Sequence, residues 1–458
     1  SKAIPSRTMC VVSLPREMTS DISRVLGSIA PKHESSFFWS LYNGTDPGRF
    51  AVIKLSGECI ETSLDRIAED LSDLYKLGLF PVVTFGWGSS LSRRLAEAGI
   101  NSKFIDGDRY TDSQVMAEVE RIAKETGDRI VQAVLARGAK ARLIDYNSRS
   151  LVAEKKQGND YGSHNGSIVG VNTAPALSAV DMGVIPIVSP IGISEDGKTA
   201  YNINAASAGA MLAQAIDPIK YVMVTSSGGV LNPGRKIISE IVLNRDLERL
   251  VSDGTVSGGM EKNVREAQLS LSLRQNGDDR SVQIVGPNNL LLELFSYKGA
   301  GTYIRKGYAV TSVDIEQLDM ARFKAMVKKK LGETLREDWY STHKRVAYVE
   351  KNLKGAATVV PDPPNVGSPY LDIIVVDNGY LRNGLGSDIM SAIGVPKLFW
   401  RSRIDREANE WYFRISTGHI HYTGPGGHDY NHFWTGNPTF EQIRQQHNFV
   451  QAKPSNFQ

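Results

Sequence analysis

Leu398-Phe399-Trp400-Arg401-Ser402-Arg403, followed by Asn409-Glu410-Trp411-Tyr412-Phe413, is the stretch from which the rest of the sequence can be read. Along an extended strand alternate side chains leave by opposite faces, so Arg401 and Arg403 share one face while Trp400 and Ser402 share the other. Two guanidinium forks about 7 Å apart on a rigid strand suit a small dicarboxylate, each of whose carboxylates accepts paired hydrogen bonds. Tyr412 follows closely enough to fold back toward the same pocket and offer a phenolic proton to a leaving group. The alternative is a surface strand with two solvated arginines over a core Trp-Tyr pair.

Working outward, Leu381-Arg382-Asn383-Gly384-Leu385-Gly386-Ser387 lies between an apolar strand expected at 371–376 and a helix expected at 387–393. Glycines in that position let backbone N–H groups turn toward a pyrophosphate at a helix N-terminus, where the dipole also favours anions. Further strands are expected at 346–349 and 356–360, with a turn at Pro361-Asp362-Pro363-Pro364. Residues 313–340 are charged and helical, with Met320, Phe323, Met326, Val327 and Leu331 at helical spacing, and form the join to this domain.

Before that join the pattern differs. From Phe50 to about 310, buried strands alternate with amphipathic helices, the punctuation of an α/β sandwich with a largely parallel sheet. Residues 11–34 read as a helical arm. A chain of 458 residues exceeds one ordinary core, so two or three domains are expected. Lys and Arg total 53 against 50 Asp and Glu, and a formal charge of +3 without a basic run argues against a nucleic-acid partner. No apolar segment reaches the roughly 20 residues of a membrane span, so no membrane partner is expected. Cys10 and Cys59 are the only cysteines, which points to a reducing compartment, cytoplasm or mitochondrial matrix. His419, His421, His428, His432 and His447 cluster near the C-terminus, yet a metal site needs three or four ligands held in place, and no metal is expected.

Residues 345–445 resemble the acetyltransferase domain of N-acetylglutamate synthase, a branch of the GCN5-related superfamily. The matching text is Pro369-Tyr370-Leu371-Asp372, Gly384-Leu385-Gly386, Phe399-Trp400-Arg401-Ser402-Arg403, Asn409, Trp411-Tyr412-Phe413 and Phe433-Trp434. The resemblance implies acetyl transfer from acetyl-CoA to the amine of L-glutamate, the first step of arginine biosynthesis. It would use Arg401, Arg403 and Asn409 for the substrate, the backbone of Arg382, Asn383, Gly384, Leu385, Gly386 and Ser387 for the cofactor, and Tyr412 to protonate the departing thiolate. Two positions depart from the pattern: Leu381 stands where the superfamily has Gln or Arg, and Ile373 where the synthase has a substrate-holding lysine. Restoring that lysine is expected to improve glutamate use.

Residues 50–310 resemble the amino-acid kinase fold, specifically N-acetylglutamate kinase as it occurs fused to the synthase. Phe50 to Leu55, Asp106 to Asp112, Val169 to Asn172, Asn202 to Ala205, Gly258-Gly259-Met260 and Glu293 to Phe295 match in order. Its phosphoryl-transfer groups are eroded. Phe85-Gly86-Trp87-Gly88 replaces a His-Gly-x-Gly motif, Ala206 replaces the organising aspartate, and Thr225-Ser226 replaces Thr-Asp. Asn263 stands where a lysine is expected, with Lys262 beside it. Arg109 and Asn202 match the kinase's N-acetylglutamate contacts. The arm together with Lys298, Gly299, Gly301 and Thr302 resembles the arginine-sensitive members, implying L-arginine as effector.

The expected architecture is therefore α/β: an arm (1–34), an amino-acid kinase-like αβα sandwich without phosphorylating activity (35–312) and a GCN5-related N-acetyltransferase domain (313–458). A homo-oligomer, a tetramer or similar, goes with it. Two rivals stay open: a non-catalytic regulatory partner of a separate N-acetylglutamate kinase or synthase, or an acetyltransferase for another amino acid.

Overall fold

The computed structural model describes residues 26–457 apart from 273–280, 297–298, 378–379, 381–383, 395 and 425–426. Residues 11–25 of the expected arm thus lie outside the described residues, and a helix spans Lys32–Asn43, extending past the expected end. The chain divides into two compact units at Lys306/Gly307.

In the first unit the strand Ala51–Leu55 is buried at every residue, as an apolar run in a sheet covered on both faces must be. It pairs in parallel with Val82–Phe85 and Lys220–Val224 and sits inside an eight-stranded sheet. Every pairing in that sheet is parallel except Ser281–Val285 with Thr302–Arg305. Ser56 caps the following helix, Gly57–Lys76, by accepting from the Cys59 N–H. A smaller four-stranded sheet includes Leu151–Lys155 and Ala200–Asn202.

The second unit is one seven-stranded sheet: β1 (Val310–Asp314), β2 (Val346–Glu350), β3 (Gly355–Val360), β4 (Tyr370–Val376), β5 (Phe399–Arg403), β6 (Gly418–Thr423) and β7 (Asp429–Trp434), in the order β1-β2-β3-β4-β5-β7-β6. Its helices are α1 (Met320–Leu331), α2 (Leu385–Ile393), α3 (Asn409–Ile415) and α4 (Phe440–Ala452). Because β1 pairs with β2 from Val310 onward, the second unit starts earlier than the expected boundary at 313.

Two irregularities of this sheet matter. Among the described residues the only parallel neighbours in this sheet, β4 and β5, pair at a single position, Tyr370 with Phe399, and then diverge into a wedge. A bulge against β3 at Thr358/Val359 resets the alternation of β4. Leu371 consequently packs with Trp400, Tyr412 and Phe433, whereas Ile373 packs with Phe323, Met326 and Trp339 on the other side.

Candidate active site

On β5 the alternation is as expected: Trp400 and Ser402 are buried on one face, while Arg401 and Arg403 are half-buried on the other, which they share with buried Phe399. Antiparallel pairing sets Trp400 beside Phe433 and Arg401 beside His432. Beyond the wedge, α2 begins at Gly384, whose φ of 88° is a conformation suited to glycine and brings the chain abruptly into the helix. The N–H groups of the first turn of α2 are free of intrahelical partners, as at any helix N-terminus. Asp388, in that turn, is taken up by the Tyr308 N–H at 2.8 Å. Arg382 and Asn383 of the expected cofactor loop, and Leu381, lie outside the described residues.

Tyr412 stands on α3, packed among Trp400, Trp411 and Phe433 at ring-centroid distances of 5.5, 5.3 and 5.6 Å. Burial pushes its phenol well above the ordinary range, only partly offset by Arg406. The proton therefore stays on oxygen at any physiological pH, which leaves the group a hydrogen-bond donor. Asn409 is buried with its amide turned inward, donating to the Arg403 carbonyl at 2.6 Å and tying the end of β5 to the start of α3.

The two arginines do not form a pair of open forks. Arg401 donates to the carbonyls of Val450 and Lys453, at 2.7 and 2.6 Å, and to that of Pro454 at 2.7 Å. These are carbonyls at the end of α4 and just beyond it, which lack helical partners and carry the negative end of the helix dipole, so a guanidinium there is a C-terminal cap. Arg403 contacts Asp405 at 3.2 and 2.6 Å and Glu333 at 2.9 Å. Its side chain is 31% exposed, and ion pairs so placed contribute little, which leaves it able to exchange a carboxylate partner.

Ile373 corrects another expectation. At 5% exposure it is part of the apolar cluster beneath α1, so a lysine there would be a buried charge rather than a restored substrate contact. Cations nearby come from elsewhere in the chain. Fully buried Asp372 accepts from Trp339 Nε1 at 2.8 Å, Arg345 Nε at 2.9 Å and Asn456 Nδ2 at 2.9 Å, with Lys453 Nζ at 3.0 Å. Burial pushes its carboxyl up, but Lys453 and Arg345 outweigh that and hold it at about 2.

In the first unit a cavity of about 220 Å³ is lined by Lys54, Trp87, Phe104, Arg109, Asn202 and Ala206 among others. Its polar groups are largely spent on each other. Arg109 donates to Gly88 O and Ser92 Oγ, Asn202 to Thr111 Oγ1, and Asp108 holds both Lys156 and Lys262. Asn263 faces Lys54 at 3.4 Å, whose ammonium burial lowers to about 8. Of the expected ring pair only Trp87 lines the cavity, Phe85 being fully buried in the core.

The glycine turn before Thr302 surrounds a buried carboxylate, Glu293, that is electrostatically coupled to the buried ammonium of Lys220. A Cβ on Gly299 would lie 1.9 Å from a Glu293 oxygen, and one on Gly301 would lie 2.1 Å from the Ile284 carbonyl, so neither position admits a side chain. Glu293 is fully buried and faces Lys220, whose ammonium donates to Ser296 O at 2.9 Å and lies 4.4 Å from the Phe38 ring. Burial pushes the Glu293 carboxyl up and the Lys220 ammonium down, each partly countered by the other. Tyr42 closes this site from the Lys32–Asn43 helix by donating to Leu294 O. Lys298 lies outside the described residues.

Residues 49–272 match the profile of the amino acid kinase family, and residues 310–453 match that of the N-acetyltransferase, NAT, of N-acetylglutamate synthase. The acetylglutamate kinase of Xanthomonas campestris pv. campestris is 31% identical, over 91% of this chain and 96% of its own. The chain belongs to this two-domain synthase/kinase family. The mitochondrial N-acetylglutamate synthase of Danio rerio is 29% identical to this family member over 65% of the chain and 56% of its own length. The N-acetylglutamate synthase of Neisseria gonorrhoeae shares its fold. In complex with coenzyme A and N-acetyl-glutamate the TM-score is 0.64 at 20% identity, covering 88% of this chain and 98% of the synthase. In complex with coenzyme A and L-arginine it is 0.55 at 21% identity, covering 90% and 95%.

For this synthase/kinase chain, sequence reasoning overlooked Glu333, Asp372 with its donors, and the Lys220–Glu293 pair. Of these Asp372 and Glu293 sit in quoted motifs, but their partners come from distant segments. Among the described residues no helix is long and apolar enough to cross a membrane.

Proposed function

We propose that this chain transfers the acetyl group of acetyl-CoA to the amine of L-glutamate. The observation that carries the reading is the wedge between β4 and β5, with the first turn of α2 on one side and Tyr412 on the other. A thioester lying in that gap would have its pyrophosphate end at the helix N-terminus and its sulfur toward the phenol. Arg403 is the acceptor's first carboxylate contact in this reading, since its present partners are partly exposed carboxylates that another carboxylate can replace one for one. Backbone amides of 382–387 carry the pyrophosphate, and Asn409 positions Arg403 through its carbonyl.

The test follows free thiol while acetyl-CoA is offered each common amino acid. Glutamate is expected to give the fastest release, and Arg403→Ala to raise its KM about 10- to 100-fold, the loss of one charged hydrogen bond of about 1.5–3 kcal/mol. Absence of thiol release with every amino acid would overturn the reading. The second reading, a non-catalytic partner of a separate kinase or synthase, is favoured by the internal engagement of Arg401, and copurification with such an enzyme would support it.

The first unit is regulatory in this proposal, although a relative is named a kinase. Charge stabilisation of a moving phosphoryl group needs several cations organised by a carboxylate, and here Ala206 and Asn263 remove two of those groups together. No ATP-dependent phosphorylation of N-acetylglutamate is expected, and phosphate transfer above that of a Lys54→Ala control would refute this.

L-Arginine is the effector we infer, with its guanidinium toward Glu293 and the turn of Gly299, Gly301 and Thr302 moving to admit it. Binding of a cation favours ionised Glu293, whose pKa burial has raised, so affinity should weaken as pH falls through that raised value. Thermal unfolding with millimolar arginine should show a larger upward shift at about pH 8 than at about pH 6. A shift independent of pH, or none, would remove Glu293 from the site.

A further inference from the structure

The chain beyond α4 does more than end the helix. Lys453 and Pro454 present carbonyls to Arg401, Lys453 and Asn456 bind the Asp372 carboxylate, and the Arg336 N–H donates to Asn456 O at 3.0 Å. Phe457 bridges to Leu335 and packs on the cluster of Phe323 and Trp339. The segment that receives this tail, after α1, also supplies Glu333, which holds Arg403 and Arg406. One layer of chain thus satisfies both arginines on the exposed face of β5, Arg401 with carbonyl oxygens and Arg403 with a carboxylate.

We propose that residues 453–457 and Glu333 form a strap over the acceptor side of β5, competing with the acceptor's two carboxylates for Arg401 and Arg403. This rests on the reading that those arginines receive the acceptor. Each internal contact is of the kind a dicarboxylate makes: an anionic or strongly dipolar oxygen in a guanidinium fork. Beyond Lys453 the strap is lightly held. Pro454 and Ser455 are exposed, Asn456 and Phe457 are half-buried, and a cavity of about 160 Å³ lies between this segment and Arg336, Trp339, Thr342 and His343. Beyond Lys453, which Asp372 anchors, the layer has a void beneath it and few buried apolar contacts, so residues 454–457 open at small free-energy cost. Lifting them together with Glu333 takes the Pro454 carbonyl from Arg401 and one carboxylate from Arg403, and an acceptor with two carboxylates replaces both contacts where a monocarboxylate replaces only one.

Two measurements on the full chain test this. Asn456→Ala and Phe457→Ala each remove one attachment of the strap, the first leaving Asp372 three other donors and the second leaving all four. Both are expected to lower the glutamate KM several-fold, with kcat and the acetyl-CoA KM unchanged. In the unaltered chain, glutamate is expected to accelerate amide hydrogen exchange across 453–457, a readout that does not depend on the variants folding. Glutamate acetylation with unchanged or raised KM in both variants, and no effect of glutamate on that exchange, would overturn the strap and leave the proposed reaction standing. A chain that acetylates no amino acid would overturn both.

Discussion

Asp372→Ala is expected to destabilise the C-terminal unit by about 3–5 kcal/mol, because it strands two buried cations rather than merely deleting one contact. Arg345 is 1% exposed and Lys453 7%, and with the carboxylate gone neither has a counter-charge at its present position. Denaturant unfolding followed by tryptophan fluorescence reads the effect directly, since Trp339 donates to the same carboxylate. A loss below about 1 kcal/mol, the size of a surface pair, would show that the cluster is not the anchor it looks to be. The same group predicts acid behaviour. Its folded pKa of about 2 lies below the unfolded value of about 3.9, so its contribution is fully present above about pH 4 and is lost as pH falls toward 2. About 2–3 kcal/mol should disappear across that interval, and an Asp372→Asn chain should show a correspondingly flatter acid limb.

Tyr412→Phe is expected to lower kcat about 10²- to 10³-fold with little change in the KM of either substrate. The ring would remain wedged among Trp400, Trp411 and Phe433, so packing survives and only the donor is lost. Because the phenol is pushed well above its usual pKa, the role proposed for it is to stabilise the departing thiolate by hydrogen bonding as charge appears while keeping its own proton. Single-turnover thiol release isolates that step. A kcat within about threefold of the parent would exclude Tyr412 from the chemistry.

How far the sequence reached can be judged on β5. Period-two alternation put Trp400 and Ser402 inside and Arg401 and Arg403 on the other face, and the structure has them so. The mostly apolar run from Phe50 to Leu55 likewise read as a buried strand of a largely parallel sheet, and Ala51–Leu55 is buried at every residue and paired in parallel on both sides. Where local period or motif spacing sufficed, the reading was sound.

What spacing could not convey is what each side chain meets. Ile373 looked like a missing lysine because the motif was counted along the chain, whereas the bulge at Thr358/Val359 turns it into the core beneath α1. Arg401 looked like an open fork because nothing local competes for it; its partners lie some fifty positions later, at the end of α4. The Lys220–Glu293 pair is equally remote in sequence and joined only by burial. Strand period, helix caps and glycine turns are set by neighbours a few residues away, so the sequence by itself determined the elements and the two-domain class. Charge pairing and burial depend on segments brought together by folding, and only the tertiary structure decided which arginine is a cap, which carboxylate is an anchor and what covers the acceptor face.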